Sequence, residues 1–271
     1  MSPESPSNYG VVYLAFGPAY REMTILSISW LRRFGYSGPI RVVTDIQDWP
    51  VDCLGCEIAK VPSVDEGTPT RHYKTRIDRY GYDTTLFLDA DTLPVSSISG
   101  IWWESHFADI CMTLDRHPNI QDLVATSAKV DGTWKGWAAQ ASSPKPRQRE
   151  YRYMRKLRLM LHPFYNSGVM LFRRNAATDR LFEAWHEEWN RFRDEDQLAL
   201  VRAIDKTRFR VHMLDPSWNA RLIDFGTIEK AQSSGVHILH LRPWEAHLVQ
   251  ELLEQSVQSA EPKYPFPPGG E

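Results

Sequence analysis

The 271-residue sequence has only three cysteines, Cys53, Cys56 and Cys111. So small and odd a number excludes a disulfide framework and fits a reducing compartment. Cys53 and Cys56 form a Cys-x-x-Cys, but no second such pair and no His-x-x-x-His completes a zinc site. They read as two reduced thiols in a loop between strands. An excess of one charge is lacking too. Thirty-two Lys and Arg against 34 Asp and Glu leave a net charge of -2, which argues against a protein that coats nucleic acid. No apolar run approaches the roughly 18 residues of a membrane span. The opening MSPESPSN carries no charged or apolar targeting region, so residues 1–8 read as a frayed end. The Pro-rich close, PKYPFPPGGE, reads as a disordered tail over residues 260–271. A soluble, cytoplasmic protein without internal repeats is expected.

What is present is ordinary globular material: 42% hydrophobic residues, with ten Trp, eleven Phe and eleven Tyr. That is enough for one large α/β domain with aromatic-lined surfaces. Short apolar runs at residues 11–16, 40–44, 57–61 and 84–88 read as strands. Helical periodicity fills residues 20–34, through Ile25, Ile28, Trp30 and Leu31, and a short helix is expected over 72–80. Strands alternating with helices at this spacing imply βαβ units and a mostly parallel sheet flanked by helices. The second half is less regular. Residues 108–114, 164–172 and 236–240 read as strands, and 133–143 as a loop. Leu181, Trp185, Trp189 and Phe192 mark an amphipathic helix over 178–192. Asp194 is the expected N-cap of the next helix, through residue 204.

The most informative segment is TTLFLDADTLPV, residues 84–95. Leu86, Phe87 and Leu88 make a buried strand, and Asp89 and Asp91 appear where it ends. Open α/β sheets bind ligands beyond the carboxyl ends of their strands. Two bare carboxylates there are costly to desolvate and call for a cation. A hard divalent ion bridging to a diphosphate would meet that need. A strand followed by Asp89, Asp91 and Thr92 also fits a haloacid-dehalogenase-like phosphatase, in which the first Asp is a covalent nucleophile. That motif normally closes the first strand of its domain, whereas three strands precede it here. A sugar-nucleotide pyrophosphorylase is disfavoured because LAFGPAYRE lacks a Gly-rich loop.

Further motifs follow in order: VVYLAFGPAY, RHYKTRIDRYGYD, FYNSGVMLFRRN, DEDQLALVRAI and GVHILHLRPW. Together with the acid pair they resemble the glycogenin-like and lipopolysaccharide-galactosyltransferase-like retaining glycosyltransferases of the GT-A fold, from about Tyr9 to about Trp244. The resemblance implies a single Rossmann-like domain over residues 9–250, with a nucleotide-binding half (9–114) and a smaller, mixed sugar and acceptor half (115–250). It implies transfer of a hexose from a nucleoside-diphosphate sugar, UDP by preference, to an acceptor hydroxyl with retention. The acceptor itself, whether carbohydrate, lipid or protein, is not named by it. Mn²⁺ or Mg²⁺ would be held by Asp89, Asp91 and His240, with His237 the alternative third ligand. Tyr20 would stack on the base, although Phe16-Gly17-Pro18 stands where the family often has an Asp. Lys74, and Arg71 beside the His72 that replaces a usual Arg, would face the diphosphate and sugar, with Ala90 between the acids. Asn166, Ser167 and Asp196 would bind the sugar. Gln197 would support the anomeric centre, since a neutral amide is a poor nucleophile. Arg242 replaces a usual Lys near the diphosphate. A sugar-nucleotide-binding protein without turnover is the reading from another class.

Residues 145–158 carry Lys145, Arg147, Arg149, Arg152, Arg155, Lys156 and Arg158 against a single acid, Glu150. Tyr151, Met154, Leu157 and Leu161 recur at helical spacing, so 145–161 is expected to be a basic amphipathic helix. It is a solvated face, a contact to an anionic membrane or acidic surface, or a lid bearing Trp134 and Trp137 just ahead of it.

Overall fold

The computed structural model describes residues 8–49, 55–63, 69–130 and 145–241. Cys53, Trp134, Trp137, Arg242, residues 260–271 and all of the expected disordered N-terminus (1–8) but Asn8 lie outside these. Among the described residues ten strands form two sheets: β1 Tyr9–Leu14, β2 Ile40–Thr44, β3 Glu57–Lys60, β4 Thr84–Asp89, β5 Thr92–Pro94, β6 Ile110–Asn119, β7 Pro163–Arg173, β8 His212–Met213, β9 Ala220–Arg221 and β10 Ile238–His240. The large sheet has the order β3-β2-β1-β4-β7-β6-β8, and β5-β10-β9 form the small one. In the large sheet pairing is parallel except where β7 runs antiparallel to both β4 and β6; in the small one β10 runs antiparallel to β5 and parallel to β9.

The described helices are α1 Pro18–Arg33, α2 Pro69–Lys74, α3 Ile101–Glu104, α4 Ile120–Val130, α5 Lys145–Lys156, α6 Ala176–Asn190, α7 Asp196–Thr207 and α8 Ile228–Ser233. No helix among the described residues is long and apolar enough to cross a membrane. Pro18 opens α1 in the first turn, where its missing N–H costs nothing, and Arg32 and Arg33 sit in its last turn. Asn175 caps α6 through a capping box with Thr178. Strand alternation splits the core. Val11, Tyr13, Leu86 and Leu88 cluster with Ile28 and Leu31 of α1. Val12, Leu14 and Phe87 cluster instead with Phe182 and Trp185 of α6 and Ala199 and Leu200 of α7. Helices thus cover both faces, which is why the central strands read as continuous apolar runs.

Three local expectations change. The helix expected over 72–80 is α2 followed by a separate 3-10 turn, Ile77–Tyr80. The N-cap of α7 is Glu195, with no side-chain cap hydrogen bond, rather than Asp194. The first helical residue, Asp196, turns its carboxylate inward to Ser167 instead of serving the helix end. The apolar strand around Asn166-Ser167-Gly168 is bulged. Its register against β6 jumps from Met170↔Met112 to Asn166↔Thr113.

Candidate metal and donor site

The sheet places the candidate residues by register. Leu14 at the end of β1 pairs with Asp89 at the end of β4, so the turn into α1 and the acid pair leave the sheet together. Leu88 pairs with Val169, which sets the bulged Asn166, Ser167 and Gly168 just past Asp89. The second sheet supplies the histidine: His240 pairs with Thr92, and the Leu241 N–H donates to the Asp91 carbonyl at 2.8 Å.

One ligand atom each from Asp89, Asp91 and His240 lie within 4.8 Å of one another. His240 Nε2 is 3.3 Å from Asp91 Oδ1, while its Nδ1 lies 3.0 Å from Asn219 Oδ1. His237 is engaged elsewhere, stacked on Trp218 at 4.0 Å with Nδ1 2.8 Å from Ser96 Oγ. Two carboxylate oxygens and an imidazole nitrogen on the rim of a cleft are a donor set that suits Mn²⁺ or Mg²⁺. Ala90, between the acids, is buried and offers no ligand side chain.

A second charge layer lies behind the first. Lys74, at the end of α2 and only 6% exposed, donates to Asp89 Oδ2 at 2.7 Å and lies 3.5 Å from Asp196 Oδ2. Arg71, one turn earlier, lies 3.5 Å from both Asp196 and Glu195. Ser167 Oγ donates to Asp196 at 2.9 Å, and the wholly buried Trp185 donates from Nε1 to the Asp196 carbonyl at 2.7 Å. Burial would lower the Lys74 ammonium, but Asp89 and Asp196 outweigh it and hold the group above its usual range. Burial would raise Asp196, yet Lys74 and Arg71 keep it low. Asp89 differs: burial and the nearby Asp91 charge lift it despite Lys74. Burial opposes His240 holding Asp91 low, and the histidine is raised in turn by Asp91. The site is therefore rich in negative charge that its own cations neutralise incompletely.

Beyond the acids a cleft of about 1470 Å³ opens, lined among others by Asp91, Asp115, Asn166, Gln197, Asn219 and His240. Gln197 Nε2 donates to the Tyr165 carbonyl at 3.0 Å. Asn166 Oδ1 accepts from the Gly168 N–H at 2.8 Å, and its Nδ2 donates to Asp115 at 3.3 Å. Tyr20, in the first turn of α1, stays 43% exposed, and its phenol is raised by burial and by the Asp91 and Asp89 charges. Sequence reasoning missed Asp115, Glu195 and Asn219, which gain meaning only from strands that meet in space. The sole local signal is the Asn in PSWN, where Asp215 caps a 3-10 turn ending on Asn219.

A scan against protein-family models and a search of the curated proteins both find no match. Solved structures do match. Mouse xyloside xylosyltransferase 1 is 14% identical with a TM-score of 0.51, over 86% of this chain and 97% of that one. The galactosyltransferase LgtC, solved with donor and acceptor sugar analogues, is 12% identical at 0.54, over 94% and 98%. The bifunctional glycosyltransferase WbbM is 12% identical at 0.56, over 97% of this chain and 51% of that one. The chain is thus built on the GT-A glycosyltransferase fold.

Proposed function

We propose that the protein is a metal-dependent glycosyltransferase that moves a hexose from a nucleoside-diphosphate sugar, UDP-linked by preference, to an acceptor hydroxyl. The observation that carries this reading is the Asp89–Asp91–His240 group at the carboxyl end of β4, backed by Lys74 and opening on the cleft. Asp89, Asp91 and His240 would hold Mn²⁺ or Mg²⁺, which when bound supplies positive charge to the diphosphate leaving group. Lys74 and Arg71 add cationic character on the same side, and Tyr20 offers an exposed ring for the base. Asp196, Asn166 and Ser167 would bind sugar hydroxyls. As the bond from the anomeric carbon to the diphosphate oxygen breaks, its electron pair leaves with the diphosphate. The acceptor oxygen bonds to that carbon and passes its proton to the departing diphosphate. Gln197, its Nε2 tied to Tyr165, stabilises the electron-poor carbon through its Oε1, and configuration is retained. In an assay of UDP-sugar consumption with Mn²⁺, turnover is expected from the wild type and on the order of 10²-fold less from Asp91→Asn. Metal-dependent UDP binding without any turnover would support the non-catalytic binding reading instead. Release of phosphate from simple monoesters would favour the phosphatase.

For the acceptor side, the outer face of α5 and of the turn after it, the helix ending at Lys156 rather than at the expected residue 161, supports a contact with an anionic bilayer. Arg149, Arg152, Arg155, Lys156 and Arg158 are exposed without an ion-pair partner among the described residues, beside exposed Leu157 and Leu161. Tyr151 on the inner face of the same helix lines the cleft. Sedimentation with phosphatidylserine vesicles is expected for the wild type and is lost in R149E/R152E/K156E. Equal behaviour towards neutral vesicles would contradict it.

A further inference from the structure

His240 is held on three sides, and two of the holding residues do not belong to the metal set. Its Nε2 faces Asp91. Its Nδ1 lies 3.0 Å from Asn219 Oδ1. Its ring edge lies against Gly168, where a Cβ would come within 2.4 Å of Cε1 and 2.8 Å of Nδ1. No L side chain fits in that space without moving the ring. The glycine of the bulged Asn-Ser-Gly is therefore explained by close approach of the imidazole, and the bulge itself is fixed by Asn166 Oδ1 accepting from the Gly168 N–H.

Asn219 is itself well anchored. It ends the 3-10 turn Pro216–Asn219, whose start is tied by the Ser217 N–H donating to Asp215 at 2.8 Å. The preceding Trp218 stacks on His237 of the same region as β10, and the following β9 pairs with β10. An amide oxygen can only accept, so a ring nitrogen facing it must carry the proton. In the neutral ring the other nitrogen, Nε2, then keeps its lone pair, on the side where Asp89 and Asp91 lie. Asn219 Nδ2 is buried and has no hydrogen-bond partner among the described residues.

We infer that Asn219 and Gly168 are positioning residues. Asn219 fixes the Nδ1–H tautomer of His240, and Gly168 leaves the space that lets the ring stand with Nε2 toward the acid pair. The inference rests on the metal reading of this site, because an open Nε2 lone pair has a use only toward a cation.

The test uses the full, metal-free, ¹⁵N-labelled chain at about pH 9, above the ordinary imidazole range. The His240 ring signals are identified by their loss in His240→Gln. Wild type should show protonated Nδ1 and bare Nε2. Asn219→Ala should lose that preference, and Asn219→Asp, which still accepts, should restore it. Titration with Mn²⁺ should then show affinity falling roughly 10- to 100-fold in Asn219→Ala, and recovering in Asn219→Asp. Gly168→Ala, a variant far from Asn219 in sequence, should shift the ring signals and lose affinity similarly. A protonated Nε2 in the wild type, an unchanged tautomer in Asn219→Ala, or Asn219→Asp as weak as Asn219→Ala would overturn the inference. A wild type with the stated tautomer but no Mn²⁺ binding would support the positioning and overturn the metal reading.

Discussion

Two clusters of buried charge differ in how their carboxylates are matched. Behind the sheet, Arg202 is 2% exposed and meets Glu150 at 2.7 Å and Glu188 at 2.9 Å, with a further bond to the Glu188 carbonyl at 3.0 Å. One guanidinium fork on α7 thus binds groups from α5 and α6. At the end of β4, Asp89, Asp91 and Asp196 face Lys74, Arg71 and His240. Only Lys74–Asp89 is short, at 2.7 Å, and the other pairs stand at 3.3–3.5 Å beside an open cleft. Desolvation penalises both clusters. Geometry inside the protein answers that cost in one, and in the other part of the answer is left to a ligand.

The contrast makes ordered predictions. Arg202→Met should cost the most stability, about 3–5 kcal/mol, because Glu150 and Glu188 would lose their shortest buried ion pairs. Denaturant unfolding measures this, and Mn²⁺ should not relieve it. A loss below about 1 kcal/mol would mean that the cluster relaxes to solvent. Lys74→Met should cost roughly 3 kcal/mol in metal-free protein, since Asp89 and Asp196 lose their shared cation. Here added Mn²⁺ should restore part of the loss, and equal losses with and without metal would erase the distinction between the clusters. Asp91→Asn should leave metal-free stability within about 1 kcal/mol but lower transfer on the order of 10²-fold, read as kcat/KM.

A smaller effect sits between the clusters. His186, hydrogen-bonded to Thr75 at 2.8 Å beside Lys74, is lowered to about 4 by burial and then by Arg76, His72 and Arg79. An unfolded chain binds that proton near pH 6.5, so the unfolded state takes up more protons between about pH 6.5 and 4. The stability from neutral His186 is complete above that window and is lost as pH falls through it. Unfolding free energies from pH 7 to 4 should show a slope that His186→Gln flattens.

The parallel half of the fold was legible because its strands are apolar on both faces and separated by helical periods. The antiparallel insertion of β7 between β4 and β6 was not, since sequence fixes neither strand order nor direction. Asp89 and Asp91 announced themselves as two acids ending an apolar run. Asn166-Ser167-Gly168 announced itself as an interruption, but its cause, the His240 ring, lies on a strand some seventy residues away in the chain. Asn219 carried almost no signal, because its role depends on one hydrogen bond across the small sheet. Asp194 was read as a cap from spacing alone, and the helix starts later because Asp196 faces inward.

The central claim is that the cluster at the end of β4 is completed by a divalent ion together with a nucleoside diphosphate. Calorimetric titration of UDP into the wild type, with and without Mn²⁺, tests it most directly. The account predicts binding that requires Mn²⁺ and disappears in Asp91→Asn. UDP binding of equal strength without metal, or no binding in either condition, would contradict it.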